Sequence, residues 1–348
     1  MNSKRDYSID FLRIISSIMV IVIHICCYKW YELSPDSFSW KTFNVYDSFV
    51  RPAVPLFIMI SGIFFLSKKI TIKQVLKKYS LRLVIIYIFW SFIYALFSVR
   101  KETFSFILVK QIIKSTIEGP FHFWFIPTIV GLYLLSPILK LIVDKMNEDL
   151  KKYFVILFIV SSFFETLGKM SFLPGITYIT SFVNILPLKL ILQFSSYFIL
   201  GHILYNSNIK IKNKKLLFGY LINVILCFTF TYLVCKHNGA NDSSLYQEFS
   251  IFTLLEAIFL FLIFKNIKNS TFFEKEKNIK IISFLSSKTF GIYIIHFLIL
   301  QIVFEYIIPF DFINTIIFVP FITIIAFIFS ILAVFLLEKI NIIKKYLI

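Results

Sequence analysis

Apolar residues along this chain come in runs of about 20, the length that crosses a bilayer as a helix, and the runs recur from end to end. They fall near 9–29, 49–67, 80–99, 121–143, 153–168, 186–205, 216–235, 249–267, 283–307 and 313–337, which makes ten predicted spans. The fifth is the shortest and reads equally as a full crossing or a re-entrant segment. Residues 104–117 predict an amphipathic helix lying on the membrane surface. Within lipid only helices and closed barrels satisfy the backbone, and these runs are too long for barrel strands. The expected fold is therefore an all-α polytopic membrane protein.

Composition supports the same class. Of 348 residues, 58% are hydrophobic and 16% charged, and Phe alone occurs 44 times. Soluble domains are roughly half apolar and about a quarter charged. A soluble enzyme, a disordered chain and a disulfide scaffold are excluded. The four Cys (Cys26, Cys27, Cys227, Cys235) lie in or beside apolar runs with no metal or disulfide spacing, and read as small membrane residues. The first run is too long for a signal peptide, lacks a small-residue cleavage site and is interrupted by Asp10, Arg13 and His24. One membrane-embedded domain over 1–348 is expected, with no appended soluble domain.

Charge sets the orientation. The net charge is +17, which on a soluble protein would point to nucleic acid. Here the basic residues alternate by loop. With the N-terminus inside, the inner segments hold 23 Lys and Arg and the outer ones 8. That bias predicts both termini in the cytoplasm of a multi-pass plasma-membrane protein, with the lipid bilayer as a partner and no nucleic acid. Only five of the 36 basic residues are Arg. In a chain that defaults to Lys, an Arg in an apolar segment marks a place where a fork of donors is wanted.

Ionisable groups inside spans are costly and mark function. The first span carries Asp10, Arg13, Ser17 and His24, which fall within about 60° of arc on a helix and make one polar stripe. Arg13 and His24 are about 16 Å apart along that helix. Arg51 opens the second span beside Pro52 and Pro55, which predict a distorted helix start. It either snorkels to head groups or serves a site. His122 and Trp124 open the fourth span, as a site or as part of the interfacial aromatic belt. His296 lies in the ninth span. Glu165 and Glu256 stand near span ends, as boundary residues or functional acids. His202 reads as structural and His237 as solvated. Lys77, Lys78 and Arg82 enter the third span from inside, either as ordinary anchors or as a phosphate site. The five His show no paired ligand spacing, so no metal site is expected.

Several of these segments resemble the acyltransferase 3 family of integral-membrane acyltransferases. Ile9-Asp10-Phe11-Leu12-Arg13, followed by His24, is similar to the family's first-helix motif. Arg51-Pro52-Ala53-Val54-Pro55-Leu56-Phe57 with Ser61-Gly62 resembles the second-helix motif. Phe123-Trp124-Phe125 through Ser136-Pro137, Tyr197-Phe198-Ile199-Leu200-Gly201 and Phe290-Gly291-Ile292-Tyr293-Ile294-Ile295-His296 resemble later ones, in order. One departure concerns the paired arginines that often enter the third helix. Here the segment reads Lys77-Lys78-Tyr79-Ser80-Leu81-Arg82, and only Arg82 matches.

The resemblance implies O-acetyl transfer from acetyl-CoA, a co-substrate rather than a resident cofactor, to a hydroxyl of a cell-surface polysaccharide or lipid-linked glycan. His24 would be general base or acyl carrier, with Arg13 and Asp10 beside it. Arg82, Lys78 and Lys77 would bind the donor. Arg51, His296, Trp124, His122 and Glu256 would serve the acceptor or the oxyanion. The rival reading of the same residues is a glycan-precursor transporter.

Overall fold

The computed structural model describes residues 5–307 and 314–348, so Lys4 and the expected start of the tenth span at 313 lie outside the described residues. Those described contain helices and no strand. In order these are α1 (Tyr7–Trp30), α2 (Phe38–Val50), α3 (Ala53–Ser67), the single turn α4 (Ile72–Gln74), α5 (Leu81–Ser98), α6 (Phe106–Glu118), α7 (Phe125–Lys145), α8 (Glu148–Leu167), α9 (Ile176–Ile185), α10 (Phe194–Asn206), α11 (Asn213–Asn238), α12 (Ile251–Asn266), α13 (Glu276–Ile302), α14 (Thr315–Leu337) and α15 (Asn341–Tyr346).

Eight helical stretches among the described residues are long and apolar enough to cross a membrane, and in them α2 runs with α3 and α6 with α7. The two remaining expected spans differ. The fifth corresponds to α8, whose first two turns carry Glu148, Asp149, Lys151 and Lys152. The sixth is not one helix. A 3-10 turn at Pro187–Leu190 is followed by α10, which has 13 residues. Such a helix is about 20 Å long, against about 30 Å of hydrocarbon. Pro187 takes the first position of that turn, and the run is interrupted again at 191–193 before α10 begins. A short helix is tolerated because α10 is buried in protein rather than lipid: Tyr197, Phe198, Leu200 and Gly201 are all enclosed.

Its partner is α3, and the two form the closest helix pair in the fold. Gly62 and Gly201 make this possible. A Cβ at Gly62 would overlap the Phe198 carbonyl, and one at Gly201 would overlap the backbone of Met59. The segment expected as a surface helix forms α6, with Leu108 its one buried residue and Phe106, Ile107, Ile113 and Ile117 exposed.

The central helix is α1, which packs against α2, α3, α12, α13 and α14. Its polar stripe therefore faces protein. Asp6 caps its start, accepting from the Ser8 and Ile9 amides. The Asp6 carboxylate also meets Lys268 at 3.0 Å and the Tyr205 hydroxyl at 2.8 Å. At the other extreme of the chain, Trp90 Nε1 donates to the Leu347 carbonyl at 2.9 Å and Arg82 to that of Ile348 at 2.5 Å. Asp6 and Ile348, near the two described ends, are thus each bound by a basic residue of an expected inner segment, Lys268 and Arg82.

Candidate active site

The helical stripe is real, and its charged end is a small network. Asp10 is 4% exposed. It accepts from Arg13 at 3.4 Å and, more closely, from Arg5 at 2.5 Å, while Arg5 also donates to Ser286 at 2.9 Å. Asp10 is thus tied more tightly to Arg5 than to Arg13. Arg13 is left able to face the cavity beside it, with its guanidinium over the Phe64 ring.

That cavity, of about 530 Å³, opens at the Lys-rich end. Arg13, Lys78 and Arg82 supply its positive charge, and Tyr133, Phe125 and Tyr293 lie deeper. Lys77 is absent from its lining. The segment that carries these lysines, Val75–Ser80, is a π-helical turn. Such wider turns disturb the regular backbone and recur at functional sites. Arg82 is turned toward the cavity while bound to the Ile348 carbonyl.

One helical turn beyond Tyr293 the chain reaches His296, and here three histidines from distant parts of the sequence meet. The ring centroid of His24 lies 5.1 Å from that of His296 and 5.9 Å from that of His122, and His122 lies 5.6 Å from His296. α1 supplies the first, α13 the second, and the 3-10 turn Phe121–Trp124 the third. Phe121 and Phe297 complete an aromatic collar around them.

The three rings differ in what holds them. His296 Nδ1 faces the carbonyls of Tyr293 at 2.7 Å and Ile292 at 3.1 Å. Two acceptors assign the proton to Nδ1 and leave Nε2 with a lone pair, buried and without a partner. His122 is 2% exposed and neither ring nitrogen has a partner. Its carbonyl accepts from the Tyr293 hydroxyl at 2.6 Å, which fixes the turn. His24 alone of the three keeps part of its surface accessible. A free imidazole nitrogen in a dry, aromatic-walled site is placed to take a proton from a hydroxyl or to attack a carbonyl.

Arg51 sits at the break between α2 and α3 that its neighbouring prolines impose. It pairs with Asp47, one turn earlier and 1% exposed. The guanidinium lies 4.2 Å over the Tyr246 ring and 3.9 Å from Cys27 Sγ, one turn beyond His24. Arg51 is therefore held inside the protein and does not snorkel. Glu256 is fully buried and accepts from Asn223 at 3.1 Å, with its second oxygen unpartnered. It belongs to an α11–α12 contact rather than to the histidines. Trp124 turns away from the cluster into a second pocket at the opposite end of the bundle, where Glu165 also lies. His202 bonds within the fold, to Ser67 and Asn206.

A family profile described as an acyltransferase domain matches residues 6–335. The chain belongs to the acyltransferase 3 family. That match covers the charged stripe of α1, all three clustered histidines and the second pocket, and all of the first cavity's lining except Ile348. Neither curated proteins nor solved structures give a match. As a member of the acyltransferase 3 family, the chain is a membrane acyltransferase. Sequence reading missed Asp47, although its i,i+4 spacing to Arg51 was a usable signal. It also missed Tyr293 and Tyr133 as cavity walls, for which spacing along the chain gave no sign.

Proposed function

We propose that this protein transfers an acetyl group from cytoplasmic acetyl-CoA to a hydroxyl of a cell-surface polysaccharide or lipid-linked glycan, at the plasma membrane. One observation supports the reading: the cavity lined by Arg13, Lys78 and Arg82 is also lined by Tyr293, which lies one turn before His296 of the three clustered imidazoles. CoA is a long polyanion with its thioester at the far end. Arginine and lysine at a cavity mouth suit phosphates, and the depth beyond suits a pantetheine arm.

His24 is the proposed general base. As the acceptor oxygen attacks the thioester carbonyl, the imidazole takes the hydroxyl proton. The new C–O bond forms, the C–S bond breaks, and the proton passes to the departing thiolate. In the covalent variant the imidazole itself carries the acetyl group between two such steps. His296, with its Nε2 lone pair beside His24, shares the proton. Donors fixed in a dry site stabilise the developing oxyanion, and Arg51 is the nearest arginine to His24 along this wall.

The test uses acetyl-CoA labelled on the acetyl group, the purified protein and its His24→Ala variant, with and without extracted cell-envelope glycan. Label moving to glycan only with intact His24 is expected. Label retained on the protein would favour the covalent route. No CoA release from folded protein would favour a transporter instead.

A further inference from the structure

The second pocket, at the end of the bundle away from Arg82, has about 660 Å³, within the span of small-molecule sites. We infer that it is a saccharide subsite, and that it selects an uncharged sugar unit over an anionic one. The inference rests on the acyl-transfer reading for its role, since the sugar would be part of the acceptor.

Its apolar wall is aromatic. Trp124 and Phe194 lie with centroids 5.4 Å apart, and Phe194 and Phe249 5.1 Å apart. Trp124 is 39% exposed, so a ring face is open to a ligand. A pyranose presents C–H bonds on its faces and hydroxyls around its edge. The electron-rich face of an aromatic ring attracts those C–H bonds. The hydroxyls need groups that accept and donate. Gln247, exposed on the rim, supplies both, and the carboxylates of Glu165 and Glu248 accept.

Charge sets the selectivity. Among the described residues Lys169 is the one cation lining this pocket, and it is already paired with Glu165 at 3.3 Å. Glu248 stands uncompensated by any lysine there. A uronate or phosphorylated sugar would set its own anion against the Glu165 and Glu248 carboxyls, whereas a neutral or N-acetylated sugar meets only hydrogen-bonding groups.

The pocket is built in advance of any ligand. Thr166 Oγ1 accepts from the Ile251 amide at 2.7 Å, and the Tyr197 hydroxyl donates to the Glu248 carbonyl. A preformed site spares the ordering cost of binding. Two short links join it to the histidines. Trp124 closes the turn that carries His122. Tyr246, beside Gln247, lies under Arg51, which reaches the turn above His24.

The experiment is calorimetric titration of the purified full-length chain, without acetyl-CoA, using maltotetraose, cellotetraose, tetra-N-acetylchitotetraose and tetragalacturonate. Saturable binding of a neutral tetrasaccharide, with none of tetragalacturonate, is expected. Gln247→Ala should weaken it about threefold to tenfold, the value of one hydrogen bond. An unchanged melting temperature in that variant shows that its fold is intact. No neutral binding, equal binding of tetragalacturonate, or full affinity in Gln247→Ala would each overturn the subsite. Because no donor is present, failure of acetyl transfer alongside intact sugar binding would remove the transfer reading alone. Intact transfer with an unaltered acceptor KM in Gln247→Ala would remove the subsite alone.

Discussion

The imidazole of His24 lies 5.1 Å, centroid to centroid, from that of His296, and the hydrogen bonds of His296 leave its Nε2 lone pair free. Two basic nitrogens so close act as a unit. Replacing His24 with Ala should lower kcat by about a hundredfold to ten-thousandfold, the usual contribution of a positioned base. His296→Ala should cost nearly as much, and the double variant little more than either one. Rates of CoA release decide this; losses that multiply across the double variant would show that the rings work independently.

The cavity proposed for the donor makes a sharper distinction among its basic residues. Lys78 and Arg82 line it and Lys77 does not. Lys78→Ala and Arg82→Ala should each raise KM for acetyl-CoA about tenfold with kcat little changed, as expected for a lost charged contact that binds substrate and transition state alike. Lys77→Ala should leave both constants alone. Steady-state kinetics with acetyl-CoA as the varied substrate would show it, and an equal effect at Lys77 would point to bulk charge instead.

Arg51 is expected to matter first for folding. Its removal leaves the Asp47 carboxylate buried without its partner, a situation that costs about 3–5 kcal/mol. Arg51→Ala should therefore melt well below the parent in detergent. Arg51→Ala combined with Asp47→Leu should recover most of that loss, while activity stays low. Thermal unfolding followed by circular dichroism separates the two effects.

Acid should loosen the start of α1. Burial opposes the charge on Asp6, but hydrogen bonds from Ser8, Lys268 and Tyr205 outweigh it and hold the carboxyl below its ordinary value. A carboxyl lowered on folding contributes stability above its unfolded value, about pH 3.9, and that contribution is lost as pH falls through the folded value. Melting temperature should fall on acidification below about pH 4. Asp6→Asn should flatten that part of the curve, and an unchanged profile would refute the assignment.

Much of this was legible along the chain because a helix converts spacing into direction. Asp10, Arg13 and His24 share a face by arithmetic alone, and that face proved to be the protein's interior. The convergence of His122 and His296 on His24 was not legible, because it depends on how α13 and the turn Phe121–Trp124 sit against α1. The sixth run reads as one helix by its apolarity, but the fold divides it into a 3-10 turn at Pro187–Leu190 and the 13-residue α10, a break at 191–193 that apolarity does not reveal. Arg82 reads from sequence as an anchor or a phosphate ligand entering the third span from inside, and in the fold it lines the cavity. Its bond to the Ile348 carbonyl had no signature in sequence, since a backbone acceptor can belong to any residue.

The glycine contact between α3 and α10 bears on how this enzyme would look in a genetic screen. Gly62 and Gly201 belong to none of the three clustered histidines' contacts, yet each is pressed against main chain that a single methyl group would displace. Selection for lost activity would return them beside His24 with equal force. Sorting the two kinds of hit would require asking whether the defective protein still reaches the membrane.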